Sequence, residues 1–567
     1  MLRSPSLGLI GAISFLLGAC ASLPPPEIEN PRYPVVPAAV VTFDPARLSD
    51  HIRILGSDDF EGRAPSTPGE IKTVAYLADQ FAKAGLQPGG AMVDGKRGWT
   101  QPVPLLKSEF TAAPTVAVTL GGKSVALAQG AEIAVRSPTN GDKGIDLTKV
   151  PLVFVGYGVK APERGWDDYK GQDLKGKVLV MLVNDPDFEG GEGEFGGKAM
   201  TYYGRWTYKY EEGARQGAAG VLVVHETAPA SYGWATVKNS NTNTMFDIVR
   251  KNPKAEHPPL EGWIQRDLAV KLAQDSGLDF EALKAAARKK DFRPVELKAR
   301  LDVHGDAKTE VITSQNVVGL LPGTTHPDET IIYTAHWDHL GVGLPDANGD
   351  KIYNGAIDNG TGLAQVIEQA RAFASRPRLP RSVVFLAVTA EEKGLLGSEY
   401  YAANPIYPAG KTVGVLNTDV MSVVGAARDY SIRGSAKLGL LDDLIEEATK
   451  LGRRYTPDAH PETGGFYRSD HFTMAKAGIP AISLTPGQDL INGGVARAEA
   501  FGKNYTANLY HQPDDEWSAD WDYSGMVADA TLLHALGVRL ASSREWPNWS
   551  QDSEFRAARD RTASERR

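Results

Sequence analysis

The chain has 567 residues, a formal net charge of −9, 42% hydrophobic residues and 23% charged residues. That length exceeds one ordinary core and predicts two or three domains in a chain of ordinary soluble, globular composition. The acidic balance, with no lysine- or arginine-rich stripe in the region expected to fold, argues against a nucleic-acid partner.

The amino terminus comes first. Arg3 supplies a short positive region, and the apolar stretch Leu7 to Leu17 is too short to span a bilayer comfortably. It ends in Leu17-Gly18-Ala19-Cys20, which resembles the lipobox of bacterial lipoproteins. The resemblance implies a signal peptide over 1–20, lipidation at Cys20, membrane attachment through that lipid, and a place in the bacterial cell envelope facing the periplasm or exterior. The competing reading is a plain secretory signal with a chance cysteine. Cys20 is the only cysteine, so no internal disulfide can form. A proline-rich stretch follows, and 21–43 reads as a stiff, extended tether.

Residues 44–104 carry helical spacing at Pro45 to Leu55 and Gly69 to Gly85, around a Ser-, Asp-, Gly- and Pro-rich loop. The texture changes over 105–301, where short β-like runs (Thr115 to Leu120, Leu152 to Val155, Val178 to Val183) alternate with glycine-rich loops. DPDFEGGEGEFGG reads as an exposed flap, and KYEEGARQGAAGVLVVHE as a helix followed by a buried strand. Over 302–545 apolar runs at Ile331 to Tyr333, Ser382 to Val388, Val413 to Leu416 and Ile479 to Leu484 alternate with helical stretches at Gly362 to Ala374, Lys437 to Leu451 and Tyr523 to Ala541. This rhythm predicts an α/β fold, a mixed, mostly parallel sheet with helices on both faces. The segment 105–301 is then a β-rich insertion into one α/β domain, and 546–567 a frayed, disordered tail.

Candidate chemistry recurs just past the predicted strands. His336 follows IIYT, with Asp338 two residues on, placed to hydrogen-bond its second ring nitrogen; His339 reads as a bystander. Asp358 lies in GAIDNG, where capping the next helix is the simpler account and bridging two metals the functional one. Glu391 and Glu392 are adjacent after VVFLAVTA; such neighbours repel unless a cation is present, so one can ligate while the other carries a proton. Asp419 follows VGVL, and His511 lies beside Tyr510. Two histidines and several carboxylates without cysteine suit a hydrolytic two-metal site better than a structural zinc.

In order, H-x-D, D-N-x-x-G, E-E-x-G-L-x-G-S, D and Y-H resemble the co-catalytic di-zinc aminopeptidases, the family that includes glutamate carboxypeptidase II and the transferrin receptor. The match runs over roughly Val311 to Ala541, and SDHFTMAKAGIPA also resembles a family segment. The resemblance implies two Zn2+ ions: one held by His336 and Asp419, the other by Glu392 and His511, with Asp358 bridging. It makes Glu391 the general base, Asp338 the residue orienting His336, and Tyr510 a support for the oxyanion; Arg468 is a looser candidate for the substrate carbonyl. VPLVFVGYGV, DLKGKVLVMLV and GARQGAAGVLVVHE resemble a protease-associated domain, which in larger relatives sits over the active site.

The expectation is an exported zinc metallopeptidase, an aminopeptidase acting on peptides. A carboxypeptidase or dipeptidase on the same site would need a cationic clamp, which the sequence does not locate. A glutaminyl cyclase-like reaction would use one zinc, and a binding protein without activity would show degenerate ligands. Oligomeric state is not legible.

Overall fold

The computed structural model describes residues 42–191, 193–435 and 437–566. The signal peptide, Cys20 and the tether up to residue 41 lie outside the described residues. Among the described residues, no helix is long and apolar enough to cross a membrane.

The main domain is built on four parallel strands: Arg381–Val388, His326–His336, Thr412–Thr418 and Ala481–Pro486, in that spatial order. The antiparallel strands Val295–Leu321 and Asp429–Ile432 flank them. Alternation along each strand explains the two covered faces. Tyr333 and Phe385 point to one side, where they meet Leu48, Phe81, Leu363 and Leu533 from four helices. Ile332, Val384 and Leu386 point to the other, against Tyr401 and Met474. The first helices start where the sequence punctuates them: Asp44 caps Pro45–Leu55 and Thr67 caps Pro68–Lys83, each with proline at the first helical position. The mixed, mostly parallel α/β sheet is as expected.

Two long strands carry the chain into the inserted domain. Thr100–Phe110 runs antiparallel to residues 307–317 of Val295–Leu321, a 27-residue strand that belongs to both domains. The boundaries expected at 104/105 and 301/302 therefore fall inside continuous hydrogen-bonded strands. Beyond this ribbon the expected β runs are strands, Thr115–Leu120 and Val178–Leu182 among them, and helices cross between the parallel ones. Gly144–Phe154, Val178–Leu182, Gly220–His225 and Leu260–Gln265 are parallel, and parallel neighbours need crossovers, which the helix Trp206–Arg215 and others provide. The helix and buried strand expected over KYEEGARQGAAGVLVVHE are Trp206–Arg215 and Gly220–His225.

Three further expectations change. DPDFEGGEGEFGG is not an exposed flap: Asp187 is buried and accepts N–H groups of Gly193, Phe195 and Gly197, while Asp185 accepts from Thr201. The tether ends before Phe43, which is buried against Ala372 and Ala530. The tail over 546–566 is packed rather than frayed. Trp549 and Phe555 join the main core, and the buried Arg559 donates to the carbonyls of Ala409 and Thr412.

Candidate active site

Strand register brings the distant motifs together. His336 is the last residue of its strand and pairs with Val388, three residues before Glu391. Asn417 pairs with Thr334, which puts Asp419 at the same carboxyl edge. Loops are free to converge there, as at the strand ends of open α/β sheets generally. Asp358 sits on the turn entering Thr361–Ala374; its main-chain N–H and that of Ile357 donate to the buried Asp515 carboxylate. The turn needs Gly355, whose φ is 59° and where a side chain would collide with the Asp358 carbonyl and the His339 ring. Ala390, Val420 and His511 also hold left-handed backbone without being glycine, with φ of 52°, 58° and 57°. Such positions cost about 1–3 kcal/mol each and gather where function imposes them.

The side chains converge on a cleft of 210 Å³ lined by His336, Asp358, Glu391, Glu392, Asp419, Arg468, Tyr510 and His511. His336 Nε2 is 3.3 Å from Asp358 Oδ1, 3.7 Å from Asp419 Oδ1 and 3.9 Å from Glu391 Oε2. His511 Nε2 is 2.9 Å from Glu392 Oε2 and 3.5 Å from Asp358 Oδ2. Asp358 thus turns one oxygen to each histidine. Its Oδ1 is buried without a hydrogen-bond partner. Four carboxylates in one buried cleft repel one another unless cations stand among them, and an orphaned carboxylate oxygen points the same way. Three overlapping clusters have donor atoms mutually within 4.8 Å: His336, Asp358 and Asp419; His336, Glu391 and Glu392; and His339, Asp358 and Glu392. Two imidazoles, several carboxylates and no thiolate fit a pair of zinc ions.

Charge sorts the acids. Burial opposes ionisation of Asp358, but His336 and His511 hold its carboxyl well below the usual range. Glu392 is lowered in the same way, against burial, by His511 and His339. Asp419 is lowered by Arg433 and His336, again against burial. Glu391 goes the opposite way: burial, reinforced by Asp470, Glu392 and Asp419 against the pull of His336, lifts it well above an ordinary glutamate. Among the four carboxyls that line the cleft, Glu391 is the one shifted upward; Asp338, Asp470 and Asp515 behind it are raised by burial as well. Burial also raises the Tyr510 phenol, so it stays a donor at neutral pH.

Two expectations are modified. The contact to His336 Nδ1 comes from the main-chain carbonyl of Asp338 at 3.1 Å, while its carboxylate is 3.8 Å away and accepts the N–H groups of Glu391 and Glu392. His339 is no bystander: its Nδ1 lies 2.6 Å from Glu392 Oε1. Arg468 lines the cleft but spends one donor on Ser231 Oγ at 2.7 Å and lies over the Tyr232 ring at 5.1 Å, both in the inserted domain. Sequence reasoning missed Arg433, whose Nη2 donates to the Asp419 carbonyl at 2.8 Å, and Asp515. Only the acidic run after His511 hinted at the second.

Residues 316–535 match the family model of peptidase family M28. Leupeptin-inactivating enzyme 1 of Streptomyces exfoliatus is 31% identical over 221 residues, covering 36% of this chain and 44% of that protein. Aminopeptidase NAALADL1 of Mus musculus is 28% identical over 187 residues, covering 29% of this chain and 23% of that protein. The chain therefore spans less than half the length of these curated relatives. Among solved structures, an aminopeptidase from Aneurinibacillus sp. strain AM-1 shares the fold, with a TM-score of 0.52, 19% identity, and coverage of 89% of this chain and 95% of that one. The segment that matches the model of peptidase family M28 holds every residue of the histidine–carboxylate cluster.

Proposed function

We propose that the chain is a zinc-dependent exopeptidase, an aminopeptidase that removes amino-terminal residues from peptides. The carrying observation is geometric: Asp358 turns one oxygen to each of His336 and His511, with Asp419 beside the first and Glu392 beside the second. In this reading His336 and Asp419 would hold one zinc and Glu392 and His511 the other, with Asp358 available to both. Bound zinc would acidify water and polarise the peptide carbonyl. Glu391 takes the proton of the attacking water and returns it to the leaving amine. Tyr510, kept protonated by burial, donates to the developing oxyanion. Arg468, fixed to Ser231 and Tyr232, holds the substrate carbonyl.

One observation favours a second reading, a carboxypeptidase or dipeptidase. A cavity of 190 Å³ beside Glu391 is lined by Arg205 and Arg468. Arg205 Nε is buried with no hydrogen-bond partner, and no ion pair of Arg205 is found among the described residues. Such a guanidinium can take a substrate carboxylate.

Export and a lipid anchor at Cys20 belong to the same proposal, supported by the Leu17-Gly18-Ala19-Cys20 motif. The segments VPLVFVGYGV, DLKGKVLVMLV and GARQGAAGVLVVHE support the reading of the insertion as a protease-associated domain over the cleft.

The test is hydrolysis of free and N-blocked aminoacyl-anilides, with short peptides, before and after chelation and zinc return. Chelator-sensitive cleavage confined to free amino termini supports the aminopeptidase. Removal of carboxy-terminal residues favours the second reading, and absence of all cleavage by a zinc-loaded chain defeats both.

A further inference from the structure

Contacts also enter the site from outside the matched segment. The helix Trp234–Asn241 of the inserted domain ends against the loop that bears His511. Ser240 Oγ lies 2.8 Å from His511 Nδ1, and Asn239 Nδ2 donates to the His511 carbonyl at 3.0 Å. The same stretch reaches a second loop, where Lys393 Nζ donates to Asn243 Oδ1 at 2.7 Å and to the Ser240 carbonyl at 3.4 Å. Lys393 is the next residue after Glu392, and Glu392 faces His511. Residues 239–243 thus tie down the main chain or side chain on both sides of the Glu392–His511 pair.

The chemistry of imidazole gives this contact a consequence. A neutral ring offers a lone pair on one nitrogen only, and the acceptor found by the other decides which. With Nδ1–H donated to Ser240 Oγ, Nε2 keeps its lone pair turned toward Glu392 and Asp358. Without that acceptor, Nδ1–H is unpaired in a buried place, or the proton moves to Nε2 and removes the ligand. His336 receives the equivalent support from the Asp338 carbonyl, within its own domain. The main domain therefore completes one half of the centre and the inserted domain completes the other. His511 also holds its left-handed backbone in this clamp.

We propose that Ser240 is a positioning residue that fixes the tautomer and orientation of His511, so that the inserted domain is a structural part of the metal centre, beyond any role as a cover. Loss of the Ser240 hydroxyl then weakens selectively the metal position formed by Glu392 and His511. The proposal rests on the metallopeptidase reading above.

The experiment measures zinc content and affinity of the full chain by competition with a chromogenic chelator, for wild type, S240A, S240T and S240V. Wild type and S240T should hold two zinc ions. S240A and S240V should keep one tightly and bind the second about 10–100-fold more weakly. Threonine and valine have the same shape, so their comparison isolates the hydroxyl even if alanine disturbs folding. Equal binding of both ions by S240T and S240V, or parallel loss of both ions in S240V, overturns the proposal. A wild-type chain that takes up no zinc overturns the metallopeptidase reading, and this proposal with it.

Discussion

Asp338 holds the main chain of Glu391: its Oδ1 accepts the Glu391 N–H at 3.0 Å, and its Oδ2 accepts that of Glu392 at 3.3 Å. A carboxylate suits two donors, whereas an asparagine amide would turn its own N–H groups toward one of them. Asp338→Asn should cost about 1–3 kcal/mol of stability, the usual penalty for an unmatched buried donor. It should also lower kcat/KM at least about tenfold as the Glu391 turn shifts, since small misplacements are expensive in catalysis. Denaturant unfolding and steady-state assays check both, and an unchanged variant would show that the carboxylate is not what positions Glu391.

Glu391 is the proton carrier in the proposed mechanism and is not needed to hold metal. Glu391→Gln should lower kcat by roughly 100-fold or more, with KM changed little and zinc content unchanged. Loss of zinc from this variant would instead make Glu391 a ligand.

His257 lies between Glu261 at 2.7 Å and Asp247 at 3.1 Å, in the cavity beside the site. Burial disfavours its charge, but the two carboxylates outweigh that and raise its pKa from 6.5 to about 10. A raised folded-state value means the contribution is full below about pH 6.5 and is lost as pH rises through 10. His257→Gln should therefore destabilise by on the order of 2 kcal/mol at pH 6. The gap to wild type should shrink toward pH 10. Denaturant melts of both forms across pH 6–10 test this; a gap that does not shrink would rule out the charge.

Trp549 is 2% exposed, and its Nε1 donates to the Gly478 carbonyl at 3.1 Å. Trp549→Ala should cost about 3–5 kcal/mol, as for other large-to-small changes in cores. A disordered tail would show no loss. Thermal or chemical unfolding decides between them.

Much of the main domain was legible because its information is local. Continuous apolar runs such as Arg381–Val388, capped helices such as Pro45–Leu55, and acids placed just past strands follow from neighbouring residues. The His336, Asp358, Glu391, Glu392, Asp419 and His511 motifs were readable for the same reason, although their meeting was inferred from order alone. In the insertion the helix and strand over KYEEGARQGAAGVLVVHE were legible, whereas the short helices Trp234–Asn241, Arg266–Asp275 and Phe280–Ala287 were not. The packed tail was misread because Trp549 and Arg559 find their partners at Gly478 and at Ala409 and Thr412, far away in the chain.

By itself the sequence determined which donors exist, and that strands present them at loop starts. Only the tertiary structure decided how they divide the work. That Asp338 serves Glu391 by its carboxylate and His336 by its carbonyl, that Arg433 meets Asp419, and that Ser240 reaches His511 all depend on strand register and on how two domains dock. Hydrogen bonds act over about 3 Å, and residues hundreds of positions apart come that close only after the whole chain has packed.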